Sequence, residues 1–190
     1  MTINETNGNG VLEVAPAFTR TGVQLPIVAL AQRELLTVRA DDTPIVRNSL
    51  GPGIHFQPLR LDVEANEWVA IATFEPGASV PLHYHTGPAE VLTLQGRWYY
   101  LEYPDQPQTA HSYLYEPGGS VHTFICPADN TEDTVLFFRV HGANVNFTDD
   151  GQFHSILDAT SGRALTDRLC AEQGIEEIRY ITGGAAGFTV

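Results

Sequence analysis

Between Gly77 and Gly96 the chain reads Gly-Ala-Ser-Val-Pro-Leu-His83-Tyr-His85-Thr-Gly-Pro-Ala-Glu90-Val-Leu-Thr-Leu-Gln-Gly, a His-x-His step that runs into an apolar alternation between two glycines. Successive side chains of a β-strand point to opposite faces, so an extended Val80–His85 puts His83 and His85 on one face and Tyr84 on the other. Two imidazoles side by side on a strand can grip one transition metal through their ring nitrogens. A third ligand must come from elsewhere, and the tract from Pro117 to His122 offers one.

The rest of the composition narrows what surrounds such a site. The 190 residues, 43% of them hydrophobic, suit one globular domain with a sizeable core. Cys126 and Cys170 are the only cysteines, too few for a disulfide framework or a cysteine-rich zinc site, which makes a reducing cytoplasm the expected location. No apolar run is long enough to span a membrane, and the polar start does not resemble a signal peptide. A formal charge of −13 argues against nucleic-acid binding. All ten basic residues are arginines, so Schiff-base chemistry and a catalytic ammonium are excluded.

Residues 1–26 are polar and weakly patterned and read as a flexible N-terminal arm, with one domain over 27–190. Ala29 to Leu36 has the composition of a short helix. Extended segments are expected at His55–Asp62, Trp68–Glu75, Val80–His85, Val91–Gln95, Trp98–Tyr103, His111–Tyr115, Val121–Ile125 and Thr134–Val140, separated by Gly, Pro, Asp and Asn turns. Closely spaced short strands point to an all-β sandwich or barrel, of which the jelly roll is one, with its core at about 53–145. Thr160–Glu172 reads as a C-terminal helix outside the barrel, with Leu165 and Leu169 on one face and Gly174 as its stop. Ile178–Ile181 is a candidate last strand.

The second tract is His111-Ser-Tyr-Leu-Tyr-Glu-Pro117-Gly-Gly119-Ser-Val-His122-Thr-Phe-Ile-Cys126. Its Pro-x-Gly turn lets a second strand carry His122 back towards the first pair. Together the tracts resemble the two motifs of the cupin superfamily, which implies a double-stranded β-helix, or jelly roll. The departures from that pattern are informative. His111 stands at a glycine position and Cys126 at an asparagine position. Read forward from His85, Glu90 is a fourth metal ligand; read back from Gly96, that position falls on Ala89 and Glu90 turns away. Glu90 shares its parity with Leu92 and Leu94, which favours the second register, while a bulge near Pro88 would restore the first.

Pro58–Asp62, His83–Gly87, Thr93–Glu102, Tyr115–Pro117, His122-Thr123 and Cys170–Gly174 are similar to 2,4′-dihydroxyacetophenone dioxygenase-like cupins. That resemblance covers about Gly53 to Tyr180. It implies non-haem Fe(II) held by three histidines, matched here by His83, His85 and His122, and O2-dependent cleavage of a C–C bond beside a ketone to give carboxylic acids. It also implies a small-molecule carbonyl substrate, probed best with hydroxyketones and diketones, and a homodimer or homotetramer whose sheet edges are covered. Zinc, nickel or manganese can replace iron in a recombinant preparation, because nitrogen sites are not selective for it. The competing reading is a metal-binding cupin acting as a ligand sensor, or a non-oxidative isomerase or hydrolase.

Trp98 and Tyr100 follow a turn glycine and alternate with Tyr99, so they are candidates for core packing and for the lining of an aromatic pocket. Arg60 is a candidate to neutralise an anionic substrate, against an exterior salt bridge. His55, His111, His141 and His154 are read as non-ligands, and Cys126 as a small core residue.

Overall fold

The computed structural model describes residues 14–30 and 36–183. Residues 38–183 form one compact unit, and a hairpin of β1 (Val14–Phe18) and β2 (Gln24–Leu30) belongs to a separate one. The expected Ala29–Leu36 helix is met by strand at Ala29 and Leu30, and residues 31–35 lie outside the described residues. No helix of the described residues is long and apolar enough to cross a membrane.

The larger unit is a jelly roll of two six-stranded sheets. One contains β3 (Ile54–Asp62), β4 (Glu67–Phe74), β6 (Ala89–Gln95), β9 (Tyr113–Glu116), β11 (Thr134–His141) and β14 (Ile181–Thr182), in the order β14-β3-β4-β11-β6-β9. The other contains β5 (Ser79–His85), β7 (Arg97–Tyr100), β8 (Gln108–Thr109), β10 (Val121–Ile125), β12 (Asn144–Phe147) and β13 (Phe153–Leu157), in the order β13-β12-β5-β10-β7-β8. The alternation in β4 shows why the sheets face each other: Trp68, Ala70, Ala72 and Phe74 are buried inward, whereas Val69, Ile71 and Thr73 face out, half buried. Phe74 of one sheet meets Phe124 of the other with ring centroids 4.4 Å apart, and Trp98 stacks on Phe124 at 5.0 Å. Ile54, Leu136 and Cys126 complete this core. Pro58 cannot donate to the ladder, and β3 shifts register against β4 between Pro58 and Arg60.

The single described α-helix, α1 (Ala159–Gln173), starts at a capping box. Ser161 N–H donates to Asp158 Oδ1 at 2.7 Å, and Asp158 N–H donates to Ser161 Oγ at 2.8 Å. It stops at Gly174 in the left-handed conformation. Its buried stripe is Ala159, Gly162, Thr166 and Cys170, not the expected Leu165 and Leu169, which are only half buried. Small side chains let the helix lie close to the strands beneath it, and Leu165 is turned to an interior cavity instead. β12 and β13 also escaped the sequence reading, because β12 (Asn-Val-Asn-Phe) puts its asparagines on the inward face and inverts the usual apolar alternation.

Two turn positions follow directly from backbone sterics. His111, at the motif's glycine position, takes a φ of 73°. Gly96 joins β6 to β7 at a φ of 79°, and a Cβ there would lie 2.6 Å from Thr134 Oγ1 and 2.7 Å from its Cα. Gly96→Ala is therefore expected to cost about 2–3 kcal/mol of stability, read as a lowered midpoint in denaturant unfolding; an unchanged midpoint would contradict this packing.

Candidate metal centre

β5 is paired on both sides, and its registers build the site. In β10, His122 lies opposite His83. In β12, Asn144 lies opposite His85 and Asn146 opposite His83. Directly paired residues of an antiparallel ladder share a face. The three imidazoles therefore converge on the inner side of the sheet, with ring centroids 4.7 to 5.0 Å apart, and one nitrogen from each lies within 4.8 Å of the others. All three rings are buried.

The arrangement suits a cation. His83 Nδ1–H donates to the Pro81 carbonyl at 2.8 Å, which leaves its Nε2 as the free lone pair. His85 Nε2 and His122 Nε2 lie 3.1 Å apart. Glu116 Oε2 joins them, 2.9 Å from His85 Nε2 and 3.4 Å from His122 Nε2. Nitrogens and a carboxylate this close need a positive charge or protons among them: without metal, His85 and His122 share N–H protons with Glu116, and a metal ion held by the ring lone pairs would replace them. Burial holds His83 down from its ordinary 6.5 to about 4, so its ring is neutral and available as a ligand at physiological pH. Burial pushes the Glu116 carboxyl up, but hydrogen bonds from His122 and His85 outweigh it and leave the group ionised, below the usual carboxylate range.

Sequence reasoning missed Glu116. It lies in β9 directly across the ladder from Ala89 in β6, so a neighbouring strand brings a carboxylate to the position where the motif's own glutamate is absent. The signal was present in the spacing, a glutamate just before the Pro-x-Gly turn, but it has meaning only once β9 is paired with β6. The Tyr100 hydroxyl donates to Glu116 Oε1, and the Tyr100 ring stacks on His122 with centroids 3.8 Å apart. Burial, then the Glu116 charge, raises the Tyr100 hydroxyl well above its ordinary range, so it stays a donor.

The remaining candidates are dispersed. Ala89 and Val91 are buried inward, while Glu90 faces outward, with Arg139 Nη1 3.7 Å away. Tyr100 lines the cavity; Trp98 is fully buried in the core and donates its indole N–H to Thr93 Oγ1 at 2.9 Å. Arg60 lies on the outer face, donating to Asp62 at 2.6 Å and Glu67 at 2.7 Å, so the exterior salt bridge is what the structure contains. His141 bonds the same Glu67, His55 bonds Glu75, and His111 sits in a turn. His154 lies on the cavity wall, with its Nδ1 2.8 Å from Ser155 Oγ.

A cavity of about 540 Å³ opens from the triad between the sheets. Phe56, Phe74, Phe138 and Val140 give it an apolar wall, and Ser161, Leu165 and Arg168 of α1 complete it.

A jelly roll with two histidines from one strand and a third from its neighbour defines a cupin. The chain belongs to the ChrR cupin-like domain family, which it matches over residues 34–145. It is similar to a cupin-like protein of unknown function from Ralstonia eutropha JMP134, at 40% identity over 85% of this chain and 100% of that one, with a TM-score of 0.79. A second cupin from the same organism aligns at 22% identity over 79% and 95% of the two chains, with a TM-score of 0.71. An acetylacetone dioxygenase from Acinetobacter johnsonii aligns at 19% identity over 74% and 95%, with a TM-score of 0.61. The last two likenesses establish the fold. No curated protein sequence matches the chain.

His83 gives the fold a definite pH dependence. Its pKa is about 4 folded and 6.5 unfolded, so the unfolded chain binds the extra proton and stability falls as pH drops through that window. Metal-free protein is expected to lose about 3 kcal/mol between pH 6.5 and 4 from this group, and less in His83→Gln, by urea unfolding at stepped pH. Identical pH profiles for the two proteins would contradict the burial of a neutral His83.

Proposed function

We propose that this protein is a non-haem Fe(II)-dependent dioxygenase that uses O2 to cleave the C–C bond next to a carbonyl in a small aromatic hydroxyketone or diketone. The observation that carries this reading is the convergence of three buried imidazoles and one carboxylate, of which His83, His85 and Glu116 line a mainly apolar cavity large enough for an aromatic ring. The fold shared with an acetylacetone dioxygenase supports it.

In this reading His83, His85 and His122 hold the metal through ring nitrogens. Bound iron supplies a Lewis acid for the substrate carbonyl and a partner for O2. The protein's own groups do the rest. The apolar wall binds the ring of the substrate and keeps water from the reacting carbon. Glu116 Oε2 is the carboxylate oxygen nearest the triad and accepts the proton released as the ketone becomes its enolate. Tyr100, donating to Oε1, holds that carboxylate in place. For a hydroxyketone R–CO–CH2OH, addition of one O2 and scission of the C–C bond give R–COOH and HCOOH, balanced without an external reductant.

The assignment of ligands is tested by metal content. After reconstitution with Fe(II), His83→Ala, His85→Ala and His122→Ala should each lose most of the metal, and Glu90→Gln should retain it. Full metal retention in all three histidine variants would refute the centre. Activity is tested with an oxygen electrode and 2-hydroxyacetophenone or 1-phenyl-1,3-butanedione as substrate. The expected result is one O2 consumed per molecule cleaved, with benzoic acid formed from the hydroxyketone. Ligand binding without O2 uptake under iron would instead support the sensor reading.

A further inference from the structure

The cavity changes character along its length. Its inner end holds His83, His85, Tyr100 and Glu116, all buried. The other polar lining comes from two elements that pack against each other, His154 and Ser155 of β13 and Ser161 and Arg168 of α1. His154 is exposed and the Arg168 side chain is 65% exposed, so this end is the mouth. Ser161, Leu165 and Arg168 stand at the i, i+4, i+7 spacing of one helix face, apart from the buried stripe of Ala159, Gly162, Thr166 and Cys170.

Arg168 is the least committed of the cations with a carboxylate nearby. Arg60, Arg97 and Arg139 each donate to a carboxylate at 2.6 to 3.0 Å. Among the described residues Arg168 has only Glu172 near it, 3.9 Å from its Nε and itself 59% exposed. An exposed pair at that distance is weak and leaves the guanidinium fork to a better partner. Among the described residues Glu116 is the only other Asp, Glu or Arg on the cavity wall, and it is held deep among the imidazoles. A chain with a formal charge of −13 thus presents a cation at the mouth of an apolar cavity. A planar guanidinium matches a carboxylate through two parallel N–H···O bonds.

We propose that Arg168 pairs with a carboxylate at the end of the substrate remote from its carbonyl, so that the cavity takes an aryl ketone bearing an acid group. The apolar wall receives the ring between the two polar ends. This inference rests on the proposed binding of a carbonyl compound at the triad and names a further group on that compound. Arg60, held in salt bridges on the outer face, cannot take this part.

The test reads affinity, not turnover. Binding of 4-acetylbenzoate and of 4-acetylbenzamide, a neutral molecule of the same shape, is measured by calorimetry on the Fe(II)-loaded protein under argon. The native protein should bind the acid about fivefold more tightly than the amide. Arg168→Gln should abolish that preference while keeping its metal and an affinity for the amide within about twofold of native. Arg163→Gln removes an exposed charge from the same helix but away from the cavity wall, and should keep the preference. No preference for the acid in the native protein, a preference that survives Arg168→Gln, as it would for a carboxylate held directly by iron, or an equal loss in Arg163→Gln would overturn the proposal. A preference lost only in Arg168→Gln, in a protein that never consumes O2, would sustain the anion site and remove the dioxygenase reading. Uptake of O2 with 2-hydroxyacetophenone and no preference for the acid would remove the anion site and leave the dioxygenase reading standing.

Discussion

The site depends on the pairing of β5 with two neighbours at once. β10 and β12 flank it, and each contributes inward side chains at the same level as His83 and His85. A one-residue slip in either ladder would exchange the inward and outward sets, replacing His122 or the asparagines by their neighbours. The aromatic core of Phe74, Phe124 and Trp98 guards against that slip, because Phe124 lies two residues beyond His122 in the same strand and must face inward too. Packing at one level of the barrel thus fixes the chemistry at the next.

The polar groups in this interior are tolerated because they are linked. His83 is anchored to a backbone carbonyl, Glu116 is held by Tyr100 and two imidazoles, and Tyr100 stacks on His122. Removing one member leaves others buried without partners, which costs more than the missing bond itself. The position of Ala89 shows that such a set need not keep its residues on the same strands. Across an antiparallel ladder, opposed side chains occupy nearly the same space, so a carboxylate from β9 reaches where one from β6 would stand.

The outer face of the same sheet follows a different rule. Arg60, Asp62, Glu67, Arg139 and His141 form an ion-pair network there, joined at Glu67. Charge is satisfied by charge at the edge of water, and these residues take no part in the interior site. Arg60 and His141, both chemically capable side chains in strands, are thereby separated from the triad by a single change of strand face.

Local order was largely legible in the sequence by itself. The period of two placed His83 and His85 together, the Pro-x-Gly turn brought His122 back, and glycine and proline punctuation located most strands of the barrel and its helix. The parity of Glu90 with Leu92 and Leu94 pointed outward, where Glu90 lies. Contacts between strands distant in sequence were decided only by the tertiary structure. Glu116 reaches the triad because β9 pairs with β6, and Asn144 and Asn146 flank it because β12 pairs with β5. No local period encodes those ladders, and an inward asparagine breaks the apolar pattern by which a strand is read. Ligand spacing along one strand is a property of the chain, whereas the partners around those ligands are a property of the sheet.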